Sequence, residues 1–239
     1  MKIEIIQRGK RSAEKNMKFD SDLLSKLEAY QTLILHLYDW ERESITYGHF
    51  IQPEKWLNLD EIQKRNIEIA KRPTGGGIVF HACDLAFSVF VPRNHPAFSL
   101  NTLENYAFVN NRVIEVVKRF LGQEALCLLP QEPLAHNVAS KHFCMAKPTK
   151  YDVMLEGKKV AGAAQRRTRA GFCHQGSIFL SFLDEESQKN LLHPDSNIRE
   201  AIVANTFPLL GAQVSRKAMI AGREKLQNLL IEIFQEWEN

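Results

Sequence analysis

Arg72-Pro73-Thr74-Gly75-Gly76-Gly77-Ile78-Val79-Phe80-His81 is the stretch around which the rest of this sequence can be read. Three consecutive glycines lose much conformational entropy on folding, so a structure that keeps them needs positive φ or a close backbone approach. The segment then runs into Ile78-Val79-Phe80, which has strand character. A glycine loop entering a strand leaves backbone N–H groups open to a carbonyl or phosphate oxygen. Taken alone, a triple glycine reads equally well as a plain tight turn.

Outward from this loop, Leu85 to Val91 forms a second strand-like run. Upstream, Leu23, Leu24 and Leu27 share one face of a helix read from Asp20 to Tyr30. Leu33 to Tyr38 is apolar on both faces, as a central strand is. Ser44-Ile45-Thr46-Tyr47 is a short strand leading into Gly48. Downstream, Tyr106, Val109, Val113, Val117 and Phe120 recur at helical spacing from Thr102 to Leu121. Asn101 with Glu104 resembles a capping box, and Gly122 suits the stop. Tyr151 to Leu155, the turn Glu156-Gly157 and Val160 predict a β-hairpin, and Gly176 to Phe182 a further strand. Leu226, Leu229, Leu230, Ile233, Phe234 and Trp237 make the core face of a C-terminal helix. Hairpins mixed with helices predict an α+β fold, a mixed and largely antiparallel sheet with flanking helices. No repeat or linker divides the chain, so residues 1–239 are expected to form one domain.

The totals narrow the function classes. With 44% hydrophobic and 25% charged residues the composition is that of a soluble globular protein. A net charge of +3, spread over scattered basic pairs, lacks the dense stripe of a nucleic-acid binder. Cys83, Cys127, Cys144 and Cys173 share no metal-ligand spacing, so no metal site is expected. No apolar run approaches the ~18 residues of a membrane span, and the first residues lack a signal-peptide pattern. The expectation is a reduced, cytoplasmic enzyme domain with no membrane partner.

A second chemical segment is Gly157-Lys158-Lys159-Val160-Ala161-Gly162-Ala163-Ala164-Gln165-Arg166-Arg167. Lys159 and Val160 point to opposite faces of a strand, and Gly162, Ala163 and Ala164 leave room beside the lysine. Its ammonium can then meet a carbonyl or phosphate oxygen in a pocket. By itself the bland alternative, a solvated surface lysine, holds equally.

In this order, the two segments resemble the catalytic domain of the lipoate–protein ligase and octanoyltransferase superfamily. There an Arg-x-x-Gly-Gly segment ending in His precedes a Lys-x-x-Gly-x-Ala-Gln segment. Ser44 to Gln52 is similar to that family's early strand, Met17 to Leu24 with Asp20 to its first helix, and Phe172 to Leu180 to the strand after the lysine. The likeness spans roughly residues 17–180. It implies a curved sheet with a linear acyl chain in an apolar tunnel. Arg72, Thr74, Gly75, Gly76, Gly77, His81, Gly162, Ala163 and Gly176 would then bind substrate, with Lys159 on the reacting carbonyl.

Cys144 lies seven residues before Tyr151-Asp152, an interval that resembles the cysteine loop of one octanoyltransferase group. A thiolate there attacks a donor acyl group, and a neighbouring cation steadies thiolate and oxyanion. His142 is a candidate base; Cys83 and Cys173, at strand edges, are read as packing residues, and a buried small hydrophobe is the bland reading of Cys144 itself. Arg166 and Arg167 are expected to serve acceptor docking. Ligases carry Asn where this chain has Leu85, which favours the transferase. Against a clean match, Ala82 stands where the family has Asp, His174 sits one place early, and Gly75-Gly76-Gly77 replaces Gly-Gly-Arg.

The resemblance therefore implies an octanoyl or lipoyl transferase that needs no cofactor. Its donor would be an acyl carrier protein or lipoyl-domain protein. Its acceptor would be a lipoyl-domain protein, such as glycine cleavage H protein or a 2-oxoacid dehydrogenase E2. The alternatives are a lipoate–protein ligase using ATP and Mg²⁺, with Cys144 incidental, and a non-catalytic acyl-protein binding module. A biotin ligase fits less well, because its Gly-Arg-Gly-Arg type of loop is absent.

Overall fold

The computed structural model describes residues 3–123, 125–131, 142–193 and 197–236. In chain order the elements are β1 (Ile3–Arg11), α1 (Ala13–Ser25), β2 (Leu33–Trp40), β3 (Ser44–Tyr47), α2 (Leu59–Lys64), β4 (Glu68–Lys71), β5 (Ile78–Phe80) and β6 (Asp84–Pro92). There follow α3 (Thr102–Leu121), β7 (Leu126–Leu128), β8 (Val153–Leu155), β9 (Lys158–Arg167), β10 (Gly171–Phe179), α4 (Glu185–Leu191), α5 (Ile198–Asn205) and α6 (Arg216–Glu236). A seven-stranded sheet runs β1-β2-β6-β10-β9-β8-β7, and a three-stranded sheet runs β4-β3-β5. Among the described residues, only β1 with β2 is parallel in the large sheet; β4 with β3 is the parallel pair of the small one. The fold is thus α+β with a mixed, largely antiparallel sheet, as the sequence predicts.

Strand alternation gives the large sheet two unlike faces. Leu33, Leu35 and Leu37 of β2, Phe87 and Val89 of β6 and Ile178 of β10 share one face. They pack with Val113 and Val117 of α3 and Leu226 and Leu230 of α6 in the main core. The opposite face carries His36, Asp84, Ser88, Gln175 and Ser177, all buried although polar. Helix α1 lies over this second face, touching β10 and β4, which places the small sheet beside it. One sheet therefore builds a dry core on one side and a polar interior on the other.

Where end signals are local, the sequence places elements well. The Asn101 side chain accepts from Leu103 N–H at 3.0 Å and its amide donates to Glu104 at 3.0 Å, while Gly122 ends α3 at φ +70°. The hairpin β8–β9 turns at Glu156-Gly157. The predicted first helix differs: α1 begins at Ala13, capped by Ser12, whose hydroxyl accepts from Lys15 N–H at 3.4 Å. Asp20 lies inside it, fully buried and bonded to His36, Ser88 and Gln175 rather than serving as a cap. Strand β1 was not expected. It is an edge strand whose partly exposed residues gain order from pairing with β2. Strand β10 starts at Gly171, not Gly176, because its register with β6 extends back to Pro92. Trp237 lies outside the described residues. Among those described, no helix is long and apolar enough to cross a membrane.

Leu230 is fully buried between α6 and the sheet. Leu230→Ala is expected to lower unfolding stability by about 2–5 kcal/mol, through lost burial and a residual cavity. Urea denaturation followed by circular dichroism checks this.

Candidate active site

Arg72 follows β4 and is 6% exposed. Its guanidinium donates to Thr46 O (3.1 Å), Thr46 Oγ1 (2.8 Å), Gly75 O (3.1 Å) and Gly77 O (2.7 Å), so it ties the glycine loop to β3. Gly76 turns at φ +83°, a conformation that favours glycine. Gly77 is demanded by space: a Cβ there would lie 2.4 Å from His142 O. The loop is thus a close approach between two backbones, not a plain surface turn.

The segment after His142 runs beside β5, with Cys144 N–H donating to Ile78 O at 3.1 Å. This pairing brings Cys144 Sγ to the glycine loop. Gly77 N–H donates to Sγ at 3.1 Å, and Arg72 Nη2 stands 3.8 Å from it. From the other side Lys159, 2% exposed on β9, donates to Cys144 O at 2.7 Å. Its Nζ also lies 2.7 Å from Asp152 Oδ2. Burial pushes the Asp152 carboxyl up, opposed by Lys159 and by the Thr149 N–H and hydroxyl that it accepts from. A Cβ on Gly162 would sit 2.2 Å from Lys159 Cε, so the small residue is what lets the lysine lie flat. Cys144 and Lys159, 15 residues apart in sequence, are brought together.

Cys144 opens on a cavity under α1 that also borders Met17, Tyr38, Val79 and Met145. Of the sequence-predicted residues, Arg72, His81, Gly162, Ala163 and Gly176 line it as well. Thr74, Gly75, Gly76, Gly77 and Lys159 stand behind this lining and position it. The wall is held by two buried polar chains. In the first, Arg72 donates to Thr46 Oγ1, which leaves the Thr46 hydroxyl proton for His81 Nε2 at 2.7 Å. The ring proton then sits on Nδ1, 2.8 Å from Asp84, which also accepts from Ser177 at 2.6 Å. In the second, Thr74 donates to Gln175 (2.6 Å) and Gln175 to Asp20 (2.6 Å), where Ser88 (2.5 Å) and His36 (2.7 Å) also meet.

The sequence did not single out Asp84, Gln175, Asp152, Met17 or Tyr38 for the site. Ala82 stands where the family has Asp, and His81 meets the carboxylate of Asp84, two residues beyond Ala82. The polar alternation of β6 and β10 was the available signal for Asp84 and Gln175. The ring of His142 stacks on Trp56 at 4.2 Å, and Arg167 reaches Leu100 O away from the cavity. His174 is buried on the core face with its pKa pushed down to about 3, so it is neutral. Among the described residues, no cluster of three His, Cys, Asp or Glu side chains could hold a metal ion.

The four thiols are unlike. Burial pushes the Cys83 thiol up to about 12 and raises Cys173, fully buried, well above the ordinary range. Cys127 is exposed and Cys144 borders the cavity. Native-state alkylation with iodoacetamide at about pH 8 should modify Cys127 and Cys144 and spare Cys83 and Cys173, because the thiolate is the reactive form. Peptide mass spectrometry reads the order; Cys83 reacting as fast as Cys144 contradicts this assignment.

Comparison with known proteins matches this arrangement to one family. The model of the lipoyl protein ligase A/B catalytic domain matches residues 12–235. The chain is 31% identical to octanoyltransferase LipM of Anoxybacillus flavithermus, over 96% of this chain and 88% of that one. It is also 31% identical to octanoyltransferase LipM of Bacillus subtilis, over 84% and 73%. Among solved structures, lipoate-protein ligase A bound with ATP superposes with a TM-score of 0.69 at 22% identity, covering 99% of this chain and 85% of the other. Ta0514, a lipoate protein ligase homologue from T. acidophilum with bound lipoic acid, gives 0.67 at 21%, with the same coverage. The chain with its glycine loop, buried lysine and cavity-facing cysteine belongs to the lipoyl protein ligase A/B catalytic-domain family.

Proposed function

We propose that residues 1–239 work as one catalytic domain that moves an octanoyl group from a carrier protein to a lysine of a lipoyl-domain protein, through a thioester on Cys144. The observation that carries this reading is the setting of Cys144 Sγ. It borders the cavity, receives the Gly77 N–H at 3.1 Å and faces the buried Arg72 cation at 3.8 Å. Both donors favour negative charge on sulfur or on a carbonyl oxygen beside it. The LipM relatives are named octanoyltransferases, which supports octanoyl transfer.

The thiol gives up its proton, and the thiolate attacks the donor's octanoyl carbonyl. The bond between the octanoyl carbon and the carrier's sulfur breaks, the carrier thiolate takes up the proton that Cys144 released, and octanoyl remains on Cys144. A neutral acceptor lysine then attacks this thioester. Its nitrogen loses one proton as the amide forms, and Cys144 leaves as thiolate. Gly77 N–H, Arg72 and Lys159 serve the carbonyl oxygen while it carries charge. Met17, Tyr38, Val79 and Met145 offer the acyl chain an apolar lining. In this reading the acceptor is a glycine cleavage H protein or a 2-oxoacid dehydrogenase E2, and the reaction needs no cofactor. Leu85, at the place where ligases carry Asn, packs into the main core and offers the site no amide.

Intact mass after incubation with octanoyl-carrier protein, without ATP, tests the reading. Wild type should gain one octanoyl mass, as should Cys83→Ser and Cys173→Ser, and Cys144→Ser should gain far less. ATP-dependent lipoylation from free acid by Cys144→Ser, with no adduct on wild type, would replace this reading with the ligase. Neither adduct nor product would leave the binding module. Lys159→Ala is expected to lose about 3 kcal/mol of transition-state stabilisation, roughly a hundred-fold or more in turnover. Near-normal turnover of the folded variant would end the role given to Lys159.

A further inference from the structure

An open groove leads outward from the acyl cavity, and the two share Met17 and Arg72. One bank of the groove is α1, with Glu14, Lys18 and Asp22; the other is the end strand β4 and the two residues after it, from Ile69 through Pro73. His49 and Arg166 line it as well. Among the described residues, strand β4 pairs only with β3 in the small sheet. In that parallel register Glu68 and Arg72 donate to Glu43 O and Tyr47 O. Alternation therefore turns the backbone N–H and C=O of Ile69 and Lys71 away from β3. A strand edge of this kind accepts an extended chain that carries amides.

The charges along the groove are uneven. Asp22 is occupied by Lys18 at 3.3 Å, and Glu14 lies at the α1 N-terminal end. Lys71 and Arg166 are exposed, and among the described residues neither is paired with a carboxylate. Arg166 is nevertheless held, donating to Pro73 O at 3.2 Å, so it stands over the strand two residues beyond Lys71. Two available cations lining a groove with a strand edge, next to an acyl cavity, call for an extended arm. That arm carries a thioester at its inner end, amides along its length and an anion at its outer end.

Resting on the transferase reading, we infer that the groove holds the 4′-phosphopantetheine arm of the donor. The arm's amides lie along Ile69 and Lys71, and its phosphate lies between the Lys71 ammonium and the Arg166 guanidinium. Arg166 then serves donor selection, whereas the sequence alone suggested acceptor docking. The groove distinguishes a carrier-bound acyl group from one held on a phosphate-free thiol.

Octanoyl-4′-phosphopantetheine and octanoyl-pantetheine differ only in that phosphate. With wild-type protein the phosphorylated donor should acylate Cys144 with a kcat/KM about ten-fold higher, and the preference should shrink as salt is raised. Lys71→Ala/Arg166→Ala is expected to bring the ratio to near one while still gaining the octanoyl mass from octanoyl-pantetheine. Lys71→Glu/Arg166→Glu should reverse it. Equal use of both donors by wild type, or a ratio unchanged in both double variants, overturns the inference and leaves the transferase intact. No acylation of wild type by either donor overturns the transferase reading itself.

Discussion

The buried Arg72 guanidinium is the interaction on which the site is built. A charge with 6% exposure needs its solvation replaced, and here carbonyl oxygens and a hydroxyl replace it. Those oxygens belong to the glycine loop and β3, so satisfying the charge also fixes the loop. Because no carboxylate neutralises it among the described residues, its field remains available to the neighbouring sulfur of Cys144. The same cation holds the loop and faces the cysteine.

The second constraint is the double use of one sheet. Its apolar face is closed by α3 and α6 in the way of any α+β core. Its polar face would be a liability if left half satisfied, since an unpaired buried polar group costs about 1–3 kcal/mol. The chains through His81–Asp84 and Gln175–Asp20 answer most of that demand, and they stand directly behind the cavity wall. Rigidity of the cavity and satisfaction of the buried polar atoms are thus one network.

Lys159 illustrates why a site of this kind is costly to build. It and Asp152 are both almost fully buried, and removing one partner of such a pair strands the other charge. Gly162 supplies the space, Thr149 supplies the extra donors to Asp152, and the Cys144 carbonyl takes a further bond from the lysine. The ion pair therefore ties the cysteine loop to β9.

Much of the fold was legible in the sequence wherever the deciding signal is local. The capping of α3 by Asn101 and Glu104, its stop at Gly122 and the Glu156-Gly157 hairpin depend on residues a few positions apart. The ordered motifs around Arg72, Cys144 and Lys159 likewise announced the family and the substrate class. Other features had no local signature. Strand β1 owes its order to pairing with β2, and Asp20 looks like a helix start until tertiary packing buries it on the sheet's polar face. The meeting of Cys144 Sγ with Gly77 N–H depends on pairing across 67 positions, and Ser177 reaches the Asp84 carboxylate only through the pairing of β10 with β6. Sequence determined which chemical groups the protein owns and which short segments can cap, turn or alternate. Tertiary structure alone decided which groups share a face, a cavity or a charge, because those relations arise from long-range register and burial.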